Sequence, residues 1–161
     1  MVTILGIDPG YATVGYGVIR EEQRRTEAME WGCVYTKKDD GDASIRLGMI
    51  YKGIIRLIEE FSPSGMSIEK LFFARNTTSA LQVSEARGVI LLAAVHHTIP
   101  IIEYTPNQVK LAITGSGSAD KRQVQEMITR LLRLPEIPRP DDAADGLALA
   151  LCHLNFTRGR R

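Results

Sequence analysis

The chain opens with an apolar, β-branched run from Thr3 to Ile7, too short for a helix and bounded by Asp8-Pro9-Gly10, so it reads as a buried strand running into a sharp turn. Pro9 fixes its own φ and has no backbone N–H, while Gly10 admits angles that a β-carbon forbids. A second apolar run, Val14 to Ile19, contains Gly15 and Gly17, and "TEAMEWGCVYT" at 26–36 forms a third strand. Their close spacing predicts an antiparallel meander. Apolar positions then recur at helical spacing from Ala43 to Phe61, through Ile45, Leu47, Ile50, Ile54, Ile55, Leu57 and Ile58, until Ser62-Pro63 ends the helix. "GMSIEKLFF" begins as a short fourth strand, and "NTTSALQVSEARGVILLAAVHH" forms a long helix with Thr77 or Thr78 as N-cap. "IPIIEY" is a fifth strand, and three further helical segments complete the chain. This order predicts an α/β protein with a five-stranded mixed sheet flanked by helices, antiparallel at first and parallel in the β-α-β steps that follow.

With 161 residues, 44% of them hydrophobic and 24% charged, the chain suits one globular domain with a real core, expected over residues 1–155, and a short basic tail, "TRGRR", within 156–161. No repeat or low-complexity tract divides it. The sequence has no 18-residue apolar run and no basic, then apolar, then small-residue leader, which predicts a cytoplasmic protein. Cys33 and Cys152 lie far apart in apolar settings and read as reduced, packed thiols. The net charge of +1 argues neither for nor against a polyanionic partner. Charge placement matters more.

Four acidic residues stand where a core does not want them. Asp8 ends the first strand, and Glu69 ends a strand that a right-handed β-α-β step lays beside it. Asp142 and Asp145, three apart in "PDDAADGLALALCHL", project from one side of a helix and border its apolar stripe of Ala144, Leu147, Ala148 and Leu151. Asp141 and Asp142 also suit a helix N-terminus after Pro140, where acids favour the dipole, but that does not account for Asp145. Singly, a turn-forming Asp8 or a solvated Glu69 is the plainer reading; converging, such carboxylates repel by several kcal/mol unless protonated or neutralised by a hard cation. Oxygen-only ligation selects Mg²⁺ or Mn²⁺ over zinc. His96, His97 and His153 read as structural. Two such ions, roughly 3.5–4 Å apart, activate a water and stabilise a leaving 3′ oxygen in phosphodiester displacement.

"GIDPG", "IEKLFFARN", "EARG", "NQVK", "GSADKRQVQ" and "DAADGLALA" occur in an order that resembles the RuvC-type Holliday junction resolvases, from about Val2 to His153. By this resemblance Asp8, Glu69, Asp142 and Asp145 fill the four catalytic, metal-binding acidic positions. It further implies a ribonuclease-H-like fold, a Mg²⁺-dependent endonuclease, a homodimer that nicks four-way junctions symmetrically, and cooperation with the RuvA and RuvB branch-migration proteins. An alternative within the same fold is a YqgF-like nuclease acting on ribosomal RNA precursor. From another class, a phosphotransferase of the actin and sugar-kinase type requires a second related domain and phosphate loop, for which 161 residues leave no room.

Candidate DNA contacts flank these acids. Phe72 matches the family aromatic that stacks on an unpaired base, a contact worth about 1–3 kcal/mol per base. Phe73 is as well suited to the core, and Arg75 and Asn76 share its segment. "TGSGSADKR" sets a glycine-rich loop before a helix expected to start near Ser118, whose free N–H groups, with Lys121 and Arg122 in the first turn, suit a backbone phosphate. Lys110 and Lys121 match basic family positions near the scissile strand, and Lys110 is placed to stabilise transition-state charge. Ala80, Ser84 and Gly88 form a small-residue stripe that fits either the chain's own sheet or a dimer interface.

Overall fold

The computed structural model describes residues 1–72 and 77–158, with only the backbone described at 77 and 78. The elements are β1 (Val2–Asp8), β2 (Thr13–Glu22), β3 (Arg25–Tyr35), a 3₁₀ turn (Lys38–Asp40), α1 (Ala43–Phe61), β4 (Gly65–Glu69), α2 (Thr77–His96), β5 (Ile101–Tyr104), α3 (Pro106–Thr114), α4 (Lys121–Leu131) and α5 (Asp141–Arg158). The sheet order is β3-β2-β1-β4-β5. The first three strands pair antiparallel, and β1/β4 and β4/β5 pair parallel, as the sequence pattern predicts. The last strand starts at Ile101, after Pro100, which has no N–H to donate to a ladder.

Period-two alternation divides the core. One face of the sheet gives Leu5, Ile7, Val18, Met66 and Ile68 to the cluster under α1 and α2. The other gives Ile4 and Ile19 to the cluster built on α5, α3 and α4. Each fully buried Leu or Ile contributes about 1.5–3 kcal/mol. Asp42 caps α1, its carboxylate accepting from Ile45 N at 3.1 Å, and Thr105 with Gln108 forms a capping box at α3.

Helix α5 is buried over nearly its whole circumference, with Ala143, Ala144 and Gly146 to Leu154 all inside. Sequence periodicity assigned it one apolar stripe. It lies instead between the sheet and the α3/α4 layer, so its small and apolar residues face protein on both sides. Backbone contact is direct. A β-carbon at Gly6 would stand 2.1 Å from the Gly146 carbonyl oxygen, at Gly15 2.0 Å from the Asp142 carbonyl oxygen, and at Gly17 2.5 Å from Leu147 N.

Two further details differ from expectation, and one choice left open by the sequence narrows. Helix α4 begins at Lys121, not near Ser118, because Asp120 is the stronger cap: it accepts from Gln123 N at 2.8 Å while the Gln123 side chain accepts from Asp120 N at 2.9 Å. Gln123 N, expected to be free for phosphate, is therefore taken. The stripe on α2 does not rest on the chain's own sheet, since Ser84 is exposed and a β-carbon at Gly88 would meet nothing within 4 Å. Its core-facing residues are Ala86, Ile90, Ala93 and Ala94. Finally, α5 continues through Phe156 to Arg158, placed in the tail by sequence, and Arg158 bonds Glu21 and Thr26.

We expect Gly6→Ala to lower stability by about 1–3 kcal/mol, because helix backbone cannot yield to the new methyl. Gly48→Ala, in a helix interior with nothing within 4 Å, should raise it by about 0.5–1 kcal/mol. Urea midpoints of the two variants, moving in opposite directions, are the measurement.

Candidate active site

The carboxylates are gathered by strand register and by the glycine contact. Ile7 of β1 pairs with Ile68 of the parallel β4, so Asp8 and Glu69, the next residues, end neighbouring strands side by side. Asp8 also pairs with Gly15 of β2, against which the Asp142 backbone of α5 is pressed. Asp145 follows one turn along the helix. Asp8, Asp142 and Asp145 each offer an oxygen within 4.8 Å of the others'. Glu69 stands at the edge of this group and lines a cavity of about 340 Å³ together with Asp8, Asp145, Lys110 and Lys121. Pro106, Val109, Val124, Ala148 and Leu149 make its apolar walls.

The electrostatics show what the fold has forced together. The Asp8 carboxyl is pushed up to about 8, first by burial and then by the charges of Glu69, Asp145 and Asp142, with Lys121 opposing. Burial likewise raises Glu69, aided by Asp145. Asp145 is raised by burial, against the pull of Lys121. Lys121 Nζ donates to Asp145 Oδ2 at 3.2 Å and lies 3.6 Å from Asp141 Oδ2.

The remaining sequence candidates divide. Lys110 is half-buried and faces the cavity, whereas Arg122 is exposed, pairs with Glu126 at 3.0 Å and does not line it. Phe72, three residues beyond Glu69, is 63% exposed and free of the core. Phe73, Arg75 and Asn76 lie outside the described residues. The histidines, read from sequence as structural, have partners within the fold: His153 bonds the buried Tyr104 hydroxyl at 2.9 Å, His96 bonds the Tyr51 hydroxyl at 2.9 Å, and His97 Nδ1 lies 3.0 Å from the Ala93 carbonyl. Cys33 and Cys152 are free thiols.

Sequence reasoning missed the group that holds the Asp8 turn. Arg46, from α1, is 9% exposed and donates to Thr36 Oγ1 at 3.0 Å while its guanidinium covers the Tyr11 ring at 4.0 Å. Thr36 Oγ1 in turn donates to the Tyr11 carbonyl at 2.6 Å, and Thr36 N to Ala12 O at 2.9 Å. A lone Arg in an amphipathic helix carries no sign of such burial. Asp141 was explained by the helix N-terminus alone, although it also binds Lys121, Gln125 and Arg139.

The family profile for "Crossover junction endodeoxyribonuclease RuvC" matches residues 4–153. The chain belongs to the RuvC family. RuvC proteins of Moorella thermoacetica, 51% identical over 98% of this chain and 94% of the relative, and of Rubrobacter xylanophilus, 53% identical over 93% and 83%, are among its relatives. Thermus thermophilus RuvC in complex with Holliday junction substrate superposes with a TM-score of 0.94, at 34% identity, covering 99% of this chain and 97% of that one. The yeast mitochondrial Holliday junction resolvase Ydc2 shares the fold, with a TM-score of 0.68 at 14% identity. RuvC membership decides against the YqgF-like alternative: the chain is a crossover junction endodeoxyribonuclease.

The raised Asp8 carboxyl makes a thermodynamic test. Between about pH 4 and pH 8 the folded metal-free protein keeps a proton on Asp8 that the unfolded chain releases, so stability is full below that window and declines as pH rises through it. Glu69 and Asp145 shift in the same direction and add to the slope. In EDTA we expect the urea midpoint of the wild type to fall from pH 5 to pH 8, and Asp8→Asn to remove most of the fall. Parallel curves for the two proteins would mean that Asp8 is not the buried acid.

Proposed function

We propose that the chain resolves four-way DNA junctions by metal-dependent nicking at this cluster, one nick from each protomer of a two-fold dimer, in homologous recombination and DNA repair. The observation that carries the metal reading is the meeting of three carboxylate oxygens within 4.8 Å, one of them on an acid pushed up to about 8. A fold that holds such repulsion in place has a use for a cation. The donors are all oxygen, which fits Mg²⁺, with Mn²⁺ able to substitute.

Asp8, Asp142 and Asp145 would hold one ion, and Asp8 with Glu69 a second. Bound there, the pair supplies an activated water and a charge sink for the leaving oxygen, giving 5′-phosphate and 3′-hydroxyl ends. The chain's own groups do the rest. Lys110, half-buried at the cavity wall, faces the scissile phosphate and stabilises its growing charge. Lys121 and Arg122 bind flanking phosphates from the first turn of α4, and Phe72 stacks on a base opened at the crossover, with Arg75 and Asn76 as further DNA contacts.

The dimer reading rests on α2. Leu81, Leu92 and Val95 are exposed on a helix where Gly88 leaves open space, an apolar face suited to a second copy of the same helix. One domain with one cluster makes one nick, and resolution takes two. RuvA and RuvB would bring the junction to this dimer in the cytoplasm, as the family resemblance implies.

Two experiments test the reading. Mg²⁺ or Mn²⁺ should support cleavage of a labelled junction, while Ca²⁺, larger and looser in its coordination, should permit binding with little turnover; full activity in EDTA would sink the metal reading. Asp145→Asn should cut the cleavage rate by orders of magnitude while junction affinity in Ca²⁺ is kept or rises, because a charge repelling phosphate is gone. Parallel loss of binding would make Asp145 structural.

A further inference from the structure

A fifth carboxylate stands beside the cluster without belonging to it. Asp141 lies four residues before Asp145, one turn away on the same side of α5, and is not among the oxygens that meet within 4.8 Å. Its Oδ1 accepts from Gln125 Nε2 at 3.2 Å and from Arg139 Nη1 at 3.2 Å. Its Oδ2 lies 3.6 Å from Lys121 Nζ. Gln125 is buried and sits one turn after Lys121, so α4 presents both donors to α5 from one face.

Lys121 is thus shared between two acids of unlike duty. One, Asp145 at 3.2 Å, belongs to the group suited to a divalent ion. The other is fixed outside it by Gln125 and Arg139. A divalent ion drawn to Asp145 competes with the ammonium for the same oxygen and repels it. A lysine with no second anchor would then leave for solvent or stay and weaken metal binding.

We propose that Asp141 is a positioning residue that receives the Lys121 ammonium when Asp145 turns to a divalent ion, keeping that cation at the rim of the cavity, where it meets a DNA phosphate. The proposal rests on the metal reading of the cluster given above. Metal loading and placement of Lys121 are then one event.

The test is Mn²⁺ binding to the full-length, DNA-free protein, read from the electron paramagnetic resonance signal of the free aqueous ion. Asp141→Asn should weaken binding about fivefold or more in the wild-type background and by less than about twofold in the Lys121→Ala background, the coupling that a double-mutant cycle isolates. Asp141→Glu, which keeps the charge, should bind within about twofold of wild type and guards against a variant that merely disturbs the helix start. An equal loss in both backgrounds would mean that Asp141 acts only as one more negative charge near the ion, and would overturn the proposal. So would an unchanged affinity in Asp141→Asn, or an Asp141→Glu variant as weak as it. Asp8→Asn separates the two readings: if Mn²⁺ binding survives it, the ion is elsewhere and the metal reading falls together with this proposal. If binding is lost with Asp8→Asn while the cycle shows no coupling, only the role of Asp141 falls.

Discussion

The contact on which the rest depends is backbone against backbone, where α5 lies on β1 and β2. Gly6, Gly15 and Gly17 remove the side chains at the points where the helix backbone meets the strands, and Gly146 does the same from the helix side, where a β-carbon would come 2.4 Å from the Tyr16 carbonyl carbon. With side chains at these positions the helix would stand farther from the sheet, and Asp142 and Asp145 farther from Asp8. Removing the side chains closes that gap. The same closeness goes with burial, which raises the Asp8 and Asp145 carboxyls.

Other features hold the two sides of this contact still. Arg46 and Thr36 fasten the turn after Asp8 to α1, and burying a guanidinium against a hydroxyl, a carbonyl and a ring is costly enough to be informative about how firmly that turn is set. On the opposite flank the Tyr104–His153 hydrogen bond ties α5 to β5, whose Tyr104 pairs with Glu69. A buried bond of this kind is worth about 1 kcal/mol, but its geometric effect is larger than its energy. It fixes the helix carrying two of the acids to the sheet carrying the other two.

Much of this was legible in the sequence. Strand order followed from short β-branched runs and their spacing, and Asp8 and Glu69 declared themselves as acids at the ends of buried strands. Asp145 was legible because dipole and capping arguments reach no further than the first turn. The burial of α5 was not, because an amphipathic argument presumes one solvent face and this helix has none. Nor was the purpose of the strand glycines, whose partner lies over a hundred residues away and cannot be named from local pattern. The start of α4 was misplaced for a smaller reason: Ser118 and Asp120 are both good caps, and only Asp120 has Gln123 three residues on to close a capping box. The face of α2 stayed open in the sequence between two surfaces; the structure turns Leu81, Leu92 and Val95 away from the chain's own core.

The order in which these parts leave the ribosome carries its own consequence. Asp8 and Glu69 are made early, while α5, with Asp142 and Asp145, is the last of the described elements. A polypeptide interrupted before residue 141 carries half of the acids and none of the helix that presses them together. Nor can it cover the sheet face on which α5 rests, so it presents Ile4 and Ile19 to solvent, a surface that chaperones and proteases recognise. For a crossover junction endodeoxyribonuclease, incomplete synthesis therefore leaves the acid cluster unassembled and an apolar sheet face uncovered in the same product.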